Sequence, residues 1–121
     1  MKYENAINKL FSSFPMLKSV YESEGDYIKD LQHLTYSIVF APFIRKTALE
    51  NDKCMIRSIC DFMEYMANTD DEMVSELLAV SVLESLLSER DVIASLRPNL
   101  GAATLKILST MEKEYGWAEL G

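Results

Sequence analysis

Residues 52–68 read Asp52-Lys53-Cys54-Met55-Ile56-Arg57-Ser58-Ile59-Cys60-Asp61-Phe62-Met63-Glu64-Tyr65-Met66-Ala67-Asn68, and this stretch decides the fold. Lys53, Arg57, Asp61, Glu64 and Asn68 recur every three or four residues and make one polar stripe. Met55, Ile56, Ile59, Phe62, Met63 and Met66 fill the remaining face, so the period is that of an amphipathic helix. No stretch of the chain alternates convincingly as a half-buried strand would.

On the C-terminal side, Thr69-Asp70-Asp71-Glu72 matches a capping box, with the Thr69 hydroxyl and the Glu72 carboxylate satisfying amides of the next helix. That helix, about residues 71–87, carries Met73, Val74, Leu77, Leu78, Val80, Val82, Leu83, Leu86 and Leu87 around almost its whole circumference. A helix apolar nearly all round belongs at the centre of a bundle, and only Glu72, Ser75 and Glu76 have an obvious wet side. Glu84 lies near the angular position of Met73, Leu77 and Val80 and is expected to be partly buried. A buried carboxylate needs partners, and Arg45, Arg97 or a helix end would make Glu84 a structural anchor. Ser88-Glu89-Arg90-Asp91 opens a short helix that stops before Pro98, and Asn99 and Gly101 mark a turn. A last helix carries Leu105, Leu108, Met111 and Tyr115 and closes at Gly116, after which Trp117 can fold back.

On the N-terminal side, Tyr3, Ile7, Leu10, Phe11 and Phe14 line a first helix. Pro15 opens a second, with Met16, Leu17, Val20 and Tyr21 inward and Gly25 at its end. Asp26 is placed to cap a third carrying Tyr27, Ile28, Leu31 and Leu34. Tyr36-Ser37-Ile38-Val39-Phe40-Ala41-Pro42-Phe43-Ile44 is rich in β-branched and aromatic residues, but with no partner strand it reads as a buried helix interrupted near Pro42. Arg45 and Lys46 then lead a short helix to Asn51. The expected architecture is all-α: a single domain, 1–121, of about seven short helices packed as antiparallel hairpins around a buried central helix.

Composition agrees. A chain of 121 residues, 49% apolar, can bury one core without a disulfide or metal, and four glycines and three prolines are too few for many β-turns. Cys54 and Cys60, six apart, fall on different helix faces and read as free thiols in a reducing compartment. The start of the chain leads into an amphipathic pattern and not a signal-peptide core. The longest nearly apolar run, residues 34–44, is far short of the roughly 20 residues that span a bilayer. A soluble cytoplasmic protein is the expectation, with no membrane association.

Charge is distributed unevenly. Residues 61–91 hold nine acids (Asp61, Glu64, Asp70, Asp71, Glu72, Glu76, Glu84, Glu89, Asp91) and one base, Arg90, for a local charge of −8. The other ninety residues hold ten acids and eleven bases, so one quarter of the chain carries the whole net charge of −7. Such a field suits a basic partner. Direct nucleic-acid binding is disfavoured, since only Arg45-Lys46 forms even a basic doublet. The candidate partner-binding residues are Asp61, Glu64, Tyr65, Asp70, Asp71, Glu72 and Glu76, with Tyr65 an aromatic anchor among acids.

Signals for catalysis are weak, and no cofactor is expected. His33 is the single histidine and has no evident catalytic partner, and no nucleophile elbow, phosphate-binding glycine loop or Cys-x-x-Cys occurs. One enzymatic alternative is a Mg²⁺-dependent all-α nucleotide pyrophosphohydrolase, with Asp61 and Glu64 facing Glu72 and Glu76 around the ion. Against it, Asp61 can pair with Arg57 one turn earlier, and Glu72 has a capping role.

Val39-Phe40-Ala41-Pro42-Phe43-Ile44-Arg45, Phe62-Met63-Glu64-Tyr65-Met66, Asp70-Asp71-Glu72, Val82-Leu83-Glu84 and Tyr115-Gly116-Trp117 together resemble a family pattern. Between Leu31 and Trp117 the chain is similar to small all-helical immunity proteins of bacterial polymorphic and contact-dependent growth inhibition toxin systems, departing at Ala41-Pro42, where relatives often have Gly-Asp. The resemblance implies an immunity protein that neutralises a cognate toxin. The acidic balance makes that toxin basic: a nuclease, with a ribonuclease as the specific expectation. The alternative from another class is a regulatory adaptor bound to a basic DNA-binding protein.

Overall fold

The computed structural model describes residues 1–116, and over them every regular element is helical. Seven helices follow in order: α1 (Ala6–Ser13), α2 (Leu17–Glu24), α3 (residues 32–50), α4 (Lys53–Ala67), α5 (residues 72–86), α6 (Arg90–Leu96) and α7 (Ala102–Glu114). Short 3₁₀ turns at Tyr3–Asn5, Asp26–Ile28 and Arg97–Asn99 join or extend them. The protein is an all-α bundle, as the period of residues 52–68 required. The expected fold-back of Trp117 lies outside the described residues.

The links between helices are short and chemically defined. Gly25 ends α2 at φ 98°, and Asn51 ends α3 at φ 55°, both in the left-handed region where glycine and asparagine are the tolerated residues. At the end of α3 the Asn51 amide reaches the Ala48 carbonyl and the Asp52 amide the Thr47 carbonyl, closing the helix with a Schellman pair. Asp52 then caps α4 at once, its carboxylate accepting from the Met55 amide at 3.2 Å. A turn that tight makes α3 and α4 a hairpin.

Helices α3 and α5 pack against each other, and both leave α geometry where they meet. In α3, Tyr36–Phe40 is π-helical, and in α5, Leu77–Leu83 is; these two segments pack against each other. In α3 a cause is visible. Pro42 has no amide to donate to the Ile38 carbonyl, and the preceding Ala41 amide reaches back to Tyr36 instead, one residue beyond the α partner. The interruption expected near Pro42 is thus a widened turn just before it, and the helix runs on to Glu50.

The core is continuous. Phe14, at the end of α1, meets Phe40 of α3 and Phe62 of α4 at centroid separations of 5.5–5.6 Å, with Phe40 and Phe62 edge-on. The buried Tyr36 hydroxyl donates to the Ala6 carbonyl at 2.7 Å, tying α1 to α3. Cys60 is buried, and burial, with the neighbouring Asp61 charge adding, pushes its thiol up to about 12. Cys54 is exposed on a different face of α4.

The N-terminal third departs from expectation. Helix α2 begins at Leu17 and not Pro15, and Met16 and Val20 are exposed while Leu17 is buried. No α-helix forms after Asp26, which sits inside the 3₁₀ turn Asp26–Ile28 and does not cap a helix; left-handed Asp30 and extended Leu31 break the phase before α3 begins at Gln32. Of the side chains expected inside there, only Ile28 is buried, and Tyr27, Leu31 and Leu34 are exposed. Tyr115, expected on the inner face of the last helix, is exposed as well.

Candidate functional site

The seven candidate residues divide into two groups by what the fold does with them. Glu64 and Asp71 are engaged internally. Helix α7 begins at Gly101, which has no side chain to cap it. Glu64 supplies the cap from α4, accepting from the Thr104 amide (2.9 Å), the Thr104 hydroxyl (2.8 Å), the Ala103 amide (3.1 Å) and the Asn68 side-chain amide (3.0 Å). Partial burial pushes this carboxyl up, but the bonds from Thr104, Ala103 and Asn68 outweigh it and hold it below its ordinary value. Gly101 is required for that approach, because a β-carbon there would fall 2.3 Å from the Glu64 carboxyl carbon.

Asp71, and not the expected Thr69–Glu72 box, caps α5. One oxygen accepts from the Met73 amide at 3.0 Å, and the other from the Tyr3 amide at 2.8 Å. The Tyr3 amide bond is the chief cause that holds the Asp71 carboxyl below its ordinary value. Thr69 instead donates to the Met1 carbonyl at 2.7 Å, so residues 1–3 lie across the α4–α5 turn. The box does not form because the helix starts at Glu72, which leaves Thr69 two residues ahead of the cap, where its hydroxyl accepts from the Asp71 amide at 3.4 Å.

The second group is free. Asp61, Asp70, Glu72 and Glu76 are exposed, as is Tyr65. Among the described residues the ion pairs are Arg45–Glu89, Arg90–Glu112 and Arg97–Glu112, and none involves these four acids. Arg57 does not pair with Asp61, contrary to expectation. Tyr65 forms a wall common to two depressions: one of about 650 Å³, with Asp70, Asp71, Asn68 and Lys2 on its rim, and one of about 370 Å³, with Asp61, Ser58 and Ser13. The fold therefore gathers Asp61, Tyr65, Asp70 and Asp71 on one corner. Glu64 turns away toward α7, and Glu72 and Glu76 follow the outer edge of α5 without lining either depression.

Glu84 is exposed, which corrects its expected burial. It does share an edge with Met73 and Val80, but that edge faces outward: Met73 is 52% and Val80 47% exposed, and only Leu77 of the reference residues is buried. Its suggested partners are engaged elsewhere, Arg45 with Glu89 and Arg97 with Glu112. The proposed divalent-cation set does not assemble either. Glu64 is occupied by α7, and among the described residues no three His, Cys, Asp or Glu side chains converge as a metal would need. His33 lies against Ser81, with 2.6 Å between Nδ1 and Oγ, and so bridges α3 and α5.

An all-α domain with free carboxylates on either side of an exposed tyrosine is what fold and surface define. The chain belongs to the family described as domain of unknown function (DUF7674), whose model matches residues 7–116. No curated protein and no solved structure matches it. All seven candidate residues fall inside the matched stretch, whereas Lys2 on the rim of the larger depression falls outside it. Among the described residues, no helix is long and apolar enough to cross a membrane.

Proposed function

We propose that the protein is a cytoplasmic immunity protein that binds and neutralises a cognate basic toxin, a nuclease and specifically a ribonuclease, by covering its cationic cleft with the acidic corner. The observation that carries the proposal is the pair Asp61 and Asp70 on either side of exposed Tyr65, neither carboxylate in an internal ion pair among the described residues. A cation entering the smaller depression meets Asp61 and can lie against the tyrosine ring, which is the chemistry that recognises arginine and lysine, whereas in the larger one Lys2 and the Met1 ammonium share the rim with Asp70 and Asp71. Complementary fields speed encounter, a property of use to an inhibitor that must act before its target does damage. The role is binding, without catalysis or cofactor.

Co-expression tests it. The product of the neighbouring reading frame is expected to arrest growth alone and to be tolerated beside this protein. Asp61→Lys with Asp70→Lys is expected to abolish the tolerance while the variant stays folded. A toxic product that wild-type protein fails to relieve overturns the proposal. A non-toxic, basic, DNA-binding product that the protein binds would assign the same surface to a regulatory adaptor instead.

A further inference from the structure

The outer edge of α5 combines three observations that the acidic corner does not explain. Glu72, Met73, Glu76, Val80 and Glu84 are all exposed along one side of the helix. Two of them are apolar and about half exposed, and the three carboxylates have no ion pair among the described residues. The middle of the edge is the π-helical segment Leu77–Leu83. Glu76, Val80 and Glu84 recur every four residues along this segment, and all three are exposed. Leu77, Leu78, Val82 and Leu83 remain buried behind them, and His33 holds Ser81 on the inner side.

From this arrangement we infer that the outer edge of α5 docks an amphipathic basic helix of a protein partner. The partner's apolar side chains would cover Met73 and Val80, and its lysines or arginines would meet Glu72, Glu76 and Glu84. Charge decides the occupant. An anionic membrane or nucleic acid is repelled by a helix edge that carries three carboxylates and no base, and a second copy of a chain of net charge −7 would face its own acids across the contact. A basic helix satisfies both the apolar and the anionic elements in one geometry. The inference rests on the acidic segment being a partner surface, and it specifies the edge and the shape of what binds there.

The test uses the full chain and two synthetic peptides of about 18 residues, long enough to form helix. Both have the same leucine and lysine content. In one the leucines share a helical face, and in the other they are spread around it. Fluorescence anisotropy is expected to show that wild-type protein prefers the amphipathic peptide by about tenfold or more. Met73→Ser with Val80→Ser is expected to erase that preference, and Glu76→Lys with Glu84→Lys to weaken both peptides by about tenfold. Asp61→Lys with Asp70→Lys is expected to leave the preference intact, with circular dichroism verifying that each variant is folded. Equal affinity of wild-type protein for both peptides, or a preference that survives the double serine change, overturns the inference. So does a dimer in sedimentation that the double serine change dissolves, since a second copy would then cover the edge. Toxin relief without peptide preference removes only this inference, and peptide preference without toxin relief removes only the immunity proposal.

Discussion

Asp61 and Glu64 stand one turn apart on α4, carry the same charge, and meet opposite ends. Glu64 is drawn inward to cap α7 with hydrogen bonds from Thr104, Ala103 and Asn68, while Asp61 remains in water beside Tyr65. The contrast repeats in the α4–α5 connection, where Asp71 joins two backbone amides and Asp70 stays exposed. A count of carboxylates along the chain therefore overstates the surface available to a partner. Acids near helix starts are claimed by orphan amides whenever another element brings such a start within reach. What remains outside is the functional candidate.

Mutagenesis can break this comparison, and the largest effect belongs to the internal group. Glu64→Ala leaves the first amides of α7 and the Thr104 hydroxyl without their acceptor and is expected to cost about 2–3 kcal/mol in urea unfolding. A cost near zero would mean that water replaces the cap. Gly101→Ala follows at about 2 kcal/mol, because the new methyl displaces Glu64. In the Glu64→Ala background the same change is expected to cost little, and a double-mutant cycle checks this coupling.

Acid titration sharpens the contrast further. Glu64 and Asp71 are held below their ordinary values of 4.5 and 3.8 in the folded chain. Unfolded protein therefore takes up their protons first, and their contribution, complete above those ordinary values, is lost as pH falls through the lowered ones. Glu64→Gln is expected to flatten part of this acid limb in unfolding curves recorded as a function of pH. Smallest of all, Asp61→Lys, Asp70→Lys and Glu84→Ala are each expected to change stability by no more than about 0.5 kcal/mol. A large loss for Glu84→Ala would restore the anchor role that its exposure removes.

Much of the bundle was legible because helical period is a local property. The stripe Lys53, Arg57, Asp61, Glu64 and Asn68 and its apolar complement mark α4 without reference to anything else, and Gly25 and Asn51 close their helices by their own backbone preferences. The misses have a common cause. Met16, Val20, Tyr27, Leu31, Leu34, Met73 and Val80 are apolar yet exposed, and apolar character alone does not say which side of a helix the neighbours occupy. Glu84 shares its angular position with Met73, Leu77 and Val80, and of these only Leu77 is buried.

Sequence alone determined that this protein is helical, where most of its helices begin and end, and that its acids are concentrated in one quarter of the chain. Only the tertiary structure decided which carboxylates are free, that Asp71 and not Thr69 caps α5, and that α3 and α5 widen into π turns where they meet. The physical reason is range. Periodicity and capping are settled within a few residues, whereas the partner of a carboxylate or the covered side of a helix depends on segments distant in the chain, as the 40 residues between Glu64 and Thr104 show.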